Sequence, residues 1–110
     1  MSFLQPSDSI AIFGARGMAG SAICRALSGS GYNNQLRPSR EELNLLNSSE
    51  VSDWFHLKKP NVVVLAAAKV GGILANKTYP ADFLLENLKI QTNVIESAWR
   101  SGVSRFLFLG

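Results

Sequence analysis

One cysteine, Cys24, and one histidine, His56, stand among the 110 residues. A lone cysteine excludes an internal disulfide and a multi-cysteine metal site, and Cys24 falls within the first predicted helix as a small buried apolar residue. His56 has no cysteine or histidine near it in sequence, so it reads as a surface or helix-end residue and no metal site is expected. No apolar run approaches the roughly 20 residues needed to span a membrane, so no membrane partner is expected. Residues 1–9 lack a basic segment followed by an apolar stretch; no signal peptide is expected, and a reducing cytoplasm is the default compartment. The net charge is only +3 and the basic residues are scattered, without a basic stripe interleaved with aromatics. That pattern argues against nucleic acid as a partner.

What is there is an ordinary globular balance, 46% hydrophobic and 17% charged, on a length that suits one domain with a modest core. Ile10 to Phe13 reads as a short buried strand, apolar throughout as a parallel sheet requires. From Met18 to about Ser28 the residues Ala19, Ile23, Ala26 and Leu27 fall at helical spacing, and Gly29 and Gly31 stop the helix. Gln35 to Arg37 reads as a second strand and Leu43 to Leu46 as a short third. Ser48 or Ser49 is placed to cap a helix running to about Lys58, and Pro60 breaks the chain before the β-branched run Asn61 to Leu65. Gly71 and Gly72 open a looser stretch. Pro80 starts the longest helical pattern, Ala81 to about Ser101, with Leu84, Leu88, Ile95 and Trp99 on one apolar face expected in the core. Arg105 to Leu109 reads as a last strand. Strands and helices alternate, which implies a Rossmann-like α/β fold with a parallel sheet, right-handed crossovers and helices on both faces.

The chemistry concentrates in Gly14-Ala15-Arg16-Gly17-Met18-Ala19-Gly20, between the first strand and the first helix. Gly14 allows the tight turn, Gly17 leaves room for a phosphate to approach the backbone, and Gly20 lets the helix pack closely on the strand. The helix N-terminus then offers free N–H groups to a dinucleotide pyrophosphate. Cofactor choice turns on the end of the second strand, where a site for NAD wants an acid to bind the ribose hydroxyls. This chain has Arg37-Pro38-Ser39-Arg40 there, and Arg16 inside the glycine loop. Guanidinium forks suit a 2′-phosphate, so NADP is the expected cofactor. The competing reading makes Arg37 and Arg40 solvated loop charges. Lys69 reads equally as a phosphate or substrate contact and as a lysine snorkelling from a strand end. Asp82 and Glu86, one helical turn apart, read as a solvated face.

Three further segments make a resemblance specific: Arg40-Glu41-Glu42-Leu43-Asn44-Leu45-Leu46-Asn47, Leu65-Ala66-Ala67-Ala68-Lys69-Val70-Gly71-Gly72-Ile73, and Asn76-Lys77-Thr78-Tyr79-Pro80-Ala81-Asp82-Phe83. With the glycine loop, they resemble the GDP-L-fucose synthase family of extended short-chain dehydrogenase/reductases, from about Ile10 to Gly110. The resemblance implies an NADP-dependent enzyme that converts GDP-4-keto-6-deoxy-D-mannose to GDP-L-fucose by epimerising C3 and C5 and reducing C4. It implies that Arg16 and Arg40 hold the 2′-phosphate and that Asn44 and Leu45 lie near the adenine. Ala66, Ala67 and Ala68 would line the dinucleotide crevice, and Leu109 and Gly110 would pass the nicotinamide side. It also implies a homodimer through the helix Ala81 to Ser101.

Asn47 departs from the family, whose members often carry an acid there. The family's serine after Phe-Leu-Gly, its Tyr-x-x-x-Lys pair, and its epimerisation cysteine and histidine have no counterparts in residues 1–110. Tyr32 and Tyr79 have Leu36 and Phe83, not lysine, four residues on, so no catalytic residue is assigned. The expectation is an NADP-binding Rossmann part over residues 1–110, cut after the strand ending near Leu109, without a substrate domain and inactive by itself. Its apolar edge, Phe106 to Leu109, invites self-association. Two other readings compete: a non-catalytic dinucleotide-binding or sensor module, and another nucleotide-sugar epimerase or dehydratase.

Overall fold

The computed structural model describes residues 4–66 and 81–109, apart from the Phe83 side chain. Along these residues run β1 (Ile10–Phe13), α1 (Met18–Gly29), β2 (Gln35–Leu36), α2 (Ser48–Lys58), β3 (Val62–Leu65), α3 (Ala81–Arg100) and β4 (Arg105–Phe108). The four strands form one parallel sheet in the order β2-β1-β3-β4. Chain direction across the sheet therefore reverses after β2: β2 lies on one side of β1, and β3 and β4 on the other. The alternating α/β reading is borne out.

Every residue of β1 and β3 is buried, and alternate residues go to opposite faces. Ala11, Phe13, Val63 and Leu65 pack with Leu43, Val51 and Phe55 and with Val94 and Ala98 of α3. Ile10, Ile12, Val62 and Val64 pack on the other face with Cys24, Ile23 and Leu27 of α1. Helices thus cover both faces, which is why the strands carry no polar alternation. At the opposite end of the sheet from the strand C-termini, Asn61 ties three strand entries together. It exchanges bonds with Ser9 (Ser9 N–H to Asn61 Oδ1 2.8 Å, Asn61 N–H to Ser9 O 2.9 Å), and its carbonyl accepts from both Ser104 N–H and Ser104 Oγ at 2.9 Å.

Four expectations are corrected. Leu43 to Leu46 is not a strand: Asn44 Oδ1 accepts from Leu46 N–H (3.0 Å) and Leu43 N–H reaches back to Ser39 O (2.9 Å), so the backbone turns. Local side-chain acceptors have outcompeted a ladder. The cap of α2 is Asn47, not Ser48 or Ser49; its Oδ1 accepts from Glu50 N–H at 3.1 Å. Asn47 thus has a structural role of its own.

The third correction concerns α3. Its packed face runs through Asn87, Ile90, Val94, Ser97 and Ala98, whereas Leu84, Leu88, Ile95 and Trp99 are 48%, 59%, 46% and 76% exposed. The two stripes lie about 120° apart around the helix, and the small residues of one allow closer approach to the sheet. On β4, Phe106, Leu107 and Phe108 are also exposed, and β4 is the sheet edge among the described residues. The second strand is also shorter than expected, ending at Leu36 rather than Arg37.

Candidate dinucleotide-binding site

The order of strands reverses between β1 and β3, and open α/β sheets bind ligands outside the carboxyl ends of the strands at such a point. Gly14 leaves β1 there, Ala66 leaves β3, and Leu109 leaves β4. Ala66 N–H donates to Phe13 O (2.9 Å) and Leu109 N–H to Leu65 O (3.0 Å), so the strand exits are held side by side. Ala66 is half-buried, and Leu109 packs on the Ile12 face of the core.

The glycines divide the work. Gly14 sits at φ +87°, a conformation glycine adopts without strain. Gly17 N–H closes the turn onto Gly14 O at 3.0 Å, and Gly17 is the N-cap of α1. A Cβ on Gly20 would stand 1.9 Å from Gly14 O, so only glycine allows α1 to sit against the loop. The close approach that Gly20 was expected to permit is therefore to the loop backbone after β1. A Cβ on Gly17 would meet Gly14 O at 3.4 Å, which is ordinary contact. Packing among the described residues therefore does not require glycine at 17.

The N-terminus of α1 receives no side-chain cap and has no acid in its first turn. Met18 is 91% exposed, Arg16 and Ala19 are exposed, and Ala15 is half-buried against the core. Open N–H groups and the positive end of the helix dipole suit this place to an anion. Arg37 and Arg40 are exposed after β2. The donors present thus fit a dinucleotide pyrophosphate, with cationic side chains on the flank.

Sequence reasoning missed how Arg40 is held. Ser39 and Glu42 form a reciprocal box around it: Ser39 N–H donates to Glu42 Oε1 (3.0 Å) and Glu42 N–H to Ser39 Oγ (3.2 Å). The Ser-x-x-Glu spacing was the available signal. The bond from the Ser39 backbone holds the Glu42 carboxyl below the usual glutamate range, helped by the Ser39 side chain, Arg16 and Lys58 and opposed by desolvation. Glu42 thus feels the charge of Arg16 across the loop. Folding favours its ionised form, so its contribution is complete above the ordinary glutamate pKa and is lost as pH falls through the lower folded value. Between about pH 5 and pH 3, urea stability is expected to fall less steeply in Glu42→Gln than in the parent. Equal slopes would contradict this.

Asn44 is exposed and Leu45 half-buried on the core; Asn93 Nδ2 of α3 donates to Leu45 O at 2.8 Å. Glu50 Oε1 accepts from Asn44 N–H at 3.3 Å. Both residues are therefore fixed in place beyond β2. Ala67, Ala68, Lys69 and Gly110 lie outside the described residues, as do Gly71, Gly72, Tyr79 and Pro80. His56 is exposed on α2, in an open groove of about 270 Å³ with Ser52, Lys59, Ser97 and Arg100. Asp82 and Glu86 are exposed on α3, as expected. Cys24 is buried, also as expected. Among the described residues no group of His, Cys, Asp or Glu could hold a metal, and no helix is long and apolar enough to cross a membrane.

Comparison with known proteins gives a consistent set of likenesses. The profile of the NAD dependent epimerase/dehydratase family matches residues 10–110. GDP-L-fucose synthase 1 of Arabidopsis thaliana is 52% identical over 104 residues, which are 94% of this chain and 32% of the plant protein. GDP-L-fucose synthase of Escherichia coli K12 is 50% identical over 99 residues, 90% of this chain and 31% of its own. Among solved structures, a GDP-mannoheptose C4 reductase from Campylobacter jejuni with NADP bound superposes with a TM-score of 0.86. It is 35% identical, over 98% of this chain and 34% of that one. The chain spans about a third of the length of the curated relatives it matches.

Proposed function

The chain belongs to the NAD dependent epimerase/dehydratase family, and on that footing we propose that it is the NADP(H)-binding portion of a GDP-L-fucose synthase. The intact protein then converts GDP-4-keto-6-deoxy-D-mannose to GDP-L-fucose by 3,5-epimerisation and 4-reduction. The observation that carries this reading is the identity of half its residues, across nine-tenths of the chain, with GDP-L-fucose synthases of a plant and a bacterium.

Within it, Gly14 to Gly20 and the N-terminus of α1 receive the pyrophosphate, and Arg16 and Arg40 hold the 2′-phosphate. Asn44 and Leu45 flank the adenine, the alanines after β3 line the crevice, and Leu109 and Gly110 pass the nicotinamide side. When bound, NADPH supplies the hydride for the reduction. A homodimer through α3 is part of the proposal, supported by the exposed stripe Leu84, Leu88, Ile95 and Trp99. A cytoplasmic setting suits the single, unpaired Cys24.

Competitive titration of NADPH against NADH tests the cofactor. Arg16→Ala and Arg40→Ala are each expected to weaken NADPH by about 10- to 100-fold, the worth of a charge-assisted hydrogen-bonded contact, and to leave NADH nearly unchanged. Equal affinity of the unmutated protein for both cofactors would sink the NADP assignment. Failure of the intact protein to oxidise NADPH with GDP-4-keto-6-deoxy-D-mannose would sink the substrate.

A further inference from the structure

We propose that Ser39 and Glu42 are positioning residues for NADP over NAD, because their reciprocal hydrogen bonds fix the turn that presents Arg40. The inference rests on the NADP reading above and deepens it. An arginine selects a 2′-phosphate only to the extent that it is already placed, since a side chain free to roam spends affinity on becoming ordered. Arg40 itself is exposed, and among the described residues no hydrogen bond or ion pair of its side chain restrains it. What is restrained is the backbone on either side.

Three bonds close that backbone. Ser39 N–H reaches Glu42 Oε1 at 3.0 Å, Glu42 N–H reaches Ser39 Oγ at 3.2 Å, and Leu43 N–H reaches Ser39 O at 2.9 Å. The next residue, Leu43, is only 3% exposed and belongs to the core under β1 and β3. Before the turn, Pro38 is half-buried and fixes its own φ. The turn is thus anchored on one side by a core leucine and on the other by a proline. Across its middle, a carboxylate and a hydroxyl each accept a backbone N–H.

Glu42 is also an acid beside a cationic site, and its charge by itself opposes a phosphate dianion. Its presence there is accounted for by the backbone it holds: no other side chain among the described residues accepts the Ser39 N–H. The lowered proton affinity of Glu42, led by the Ser39 N–H, agrees with an acceptor engaged in the folded state. The positive charges of Arg16, in the glycine loop, and Lys58, at the end of α2, act in the same direction.

The test compares Glu42→Ala with Glu42→Gln in the intact protein. Both remove the same charge, and only glutamine keeps an oxygen that accepts from Ser39 N–H. NADPH is expected to bind about 5- to 10-fold more weakly to the alanine variant than to the glutamine one, the worth of one such bond, while NADH binds both alike. Ser39→Ala breaks the other half of the box with every charge in place, and carries the same expectation against the parent if Glu42→Ala does not fold. Equal NADPH affinity of the alanine and glutamine variants, or an equal loss of NADH, would overturn the positioning role alone. If the parent binds NADPH and NADH equally, the NADP reading fails and this inference with it.

Discussion

Replacing Gly20 with alanine is expected to cost about 3 kcal/mol of stability and about 100-fold in NADPH affinity, an overpacking effect at the upper end of its usual range. The added methyl would lie 1.9 Å from Gly14 O, 2.7 Å from Gly14 C and 3.1 Å from Ala15 Cα. None of these is the tip of a flexible side chain. All belong to a turn closed by the Gly17 N–H on Gly14 O and held at φ +87°. Relief would require α1 to withdraw from the loop, and the N–H groups at its start would withdraw with it. Gly29, in the same helix, has nothing within 4 Å of its ideal Cβ. Gly29→Ala is therefore expected to leave binding unchanged and to raise stability by a few tenths of a kcal/mol through helix propensity. Urea unfolding and NADPH fluorescence titration read both variants. If Gly20→Ala bound cofactor as the parent does, the loop would not be the pyrophosphate site.

Phe55→Ala is expected to destabilise the chain by about 3–5 kcal/mol, the usual cost of deleting a fully buried aromatic ring. Phe55 is 0% exposed, and its ring packs 5.7 Å from that of Phe13 and 5.4 Å from that of Trp54. Trp54 in turn meets Phe13 edge-on at 5.3 Å, so three rings close around the end of β1. Aromatic pairs in these geometries add to the burial of their area. Val51, Leu65, Val94 and Ala98 belong to the same buried cluster, and backbone-anchored strands cannot collapse into the void. Phe55→Leu refills most of the space and is expected to cost less than about 2 kcal/mol. Phe13 directly precedes Gly14, so the alanine variant is also expected to bind NADPH more weakly under conditions where it remains folded. A measured loss below about 1 kcal/mol would mean that the ring is not packed as described.

The glycine loop, β1, α1 and β3 were legible in the sequence because local pattern and global packing agree there. A run such as Val62 to Leu65 has nowhere to go but a strand covered on both faces, and glycines at 14, 17 and 20 make sense only between a strand and a helix. Where several local solutions were equally good, sequence could not choose. Asn47, Ser48 and Ser49 are all competent caps, and the chain uses the asparagine, whose Oδ1 accepts from Glu50 N–H. On α3 the larger apolar residues formed a credible stripe, yet tertiary packing took the neighbouring face. The polar Asn87 and Ser97 are buried there, and Val94 and Ala98 are small enough for α3 to approach the sheet. Leu43 to Leu46 had the apolar content of a strand, but only Leu43 is buried, and the side chain of Asn44 supplies the bond a neighbouring strand would have made. The box around Arg40 could have been read from Ser39 and Glu42, since reciprocal capping spacings also close turns outside helices.

The strand nearest the proposed 2′-phosphate contacts is the least laddered of the four. β2 pairs with β1 through only Ile10↔Gln35 and Ala11↔Leu36, whereas β1–β3 and β3–β4 each pair over four positions. Its hold on the body comes instead from Gln35, whose Nε2 is shared among Tyr32 O (2.9 Å), Ser28 Oγ (3.0 Å) and Cys24 O (3.2 Å). A segment held by side-chain bonds and two ladder pairs opens more readily than one held by a full ladder. A phosphate gripped by both Arg16 and Arg40 would cross-link that edge to the glycine loop that follows β1. Cofactor binding would then do for β2 what a longer ladder does for β3, and the discrimination between NADP and NAD would be written partly as a difference in how often one sheet edge comes undone.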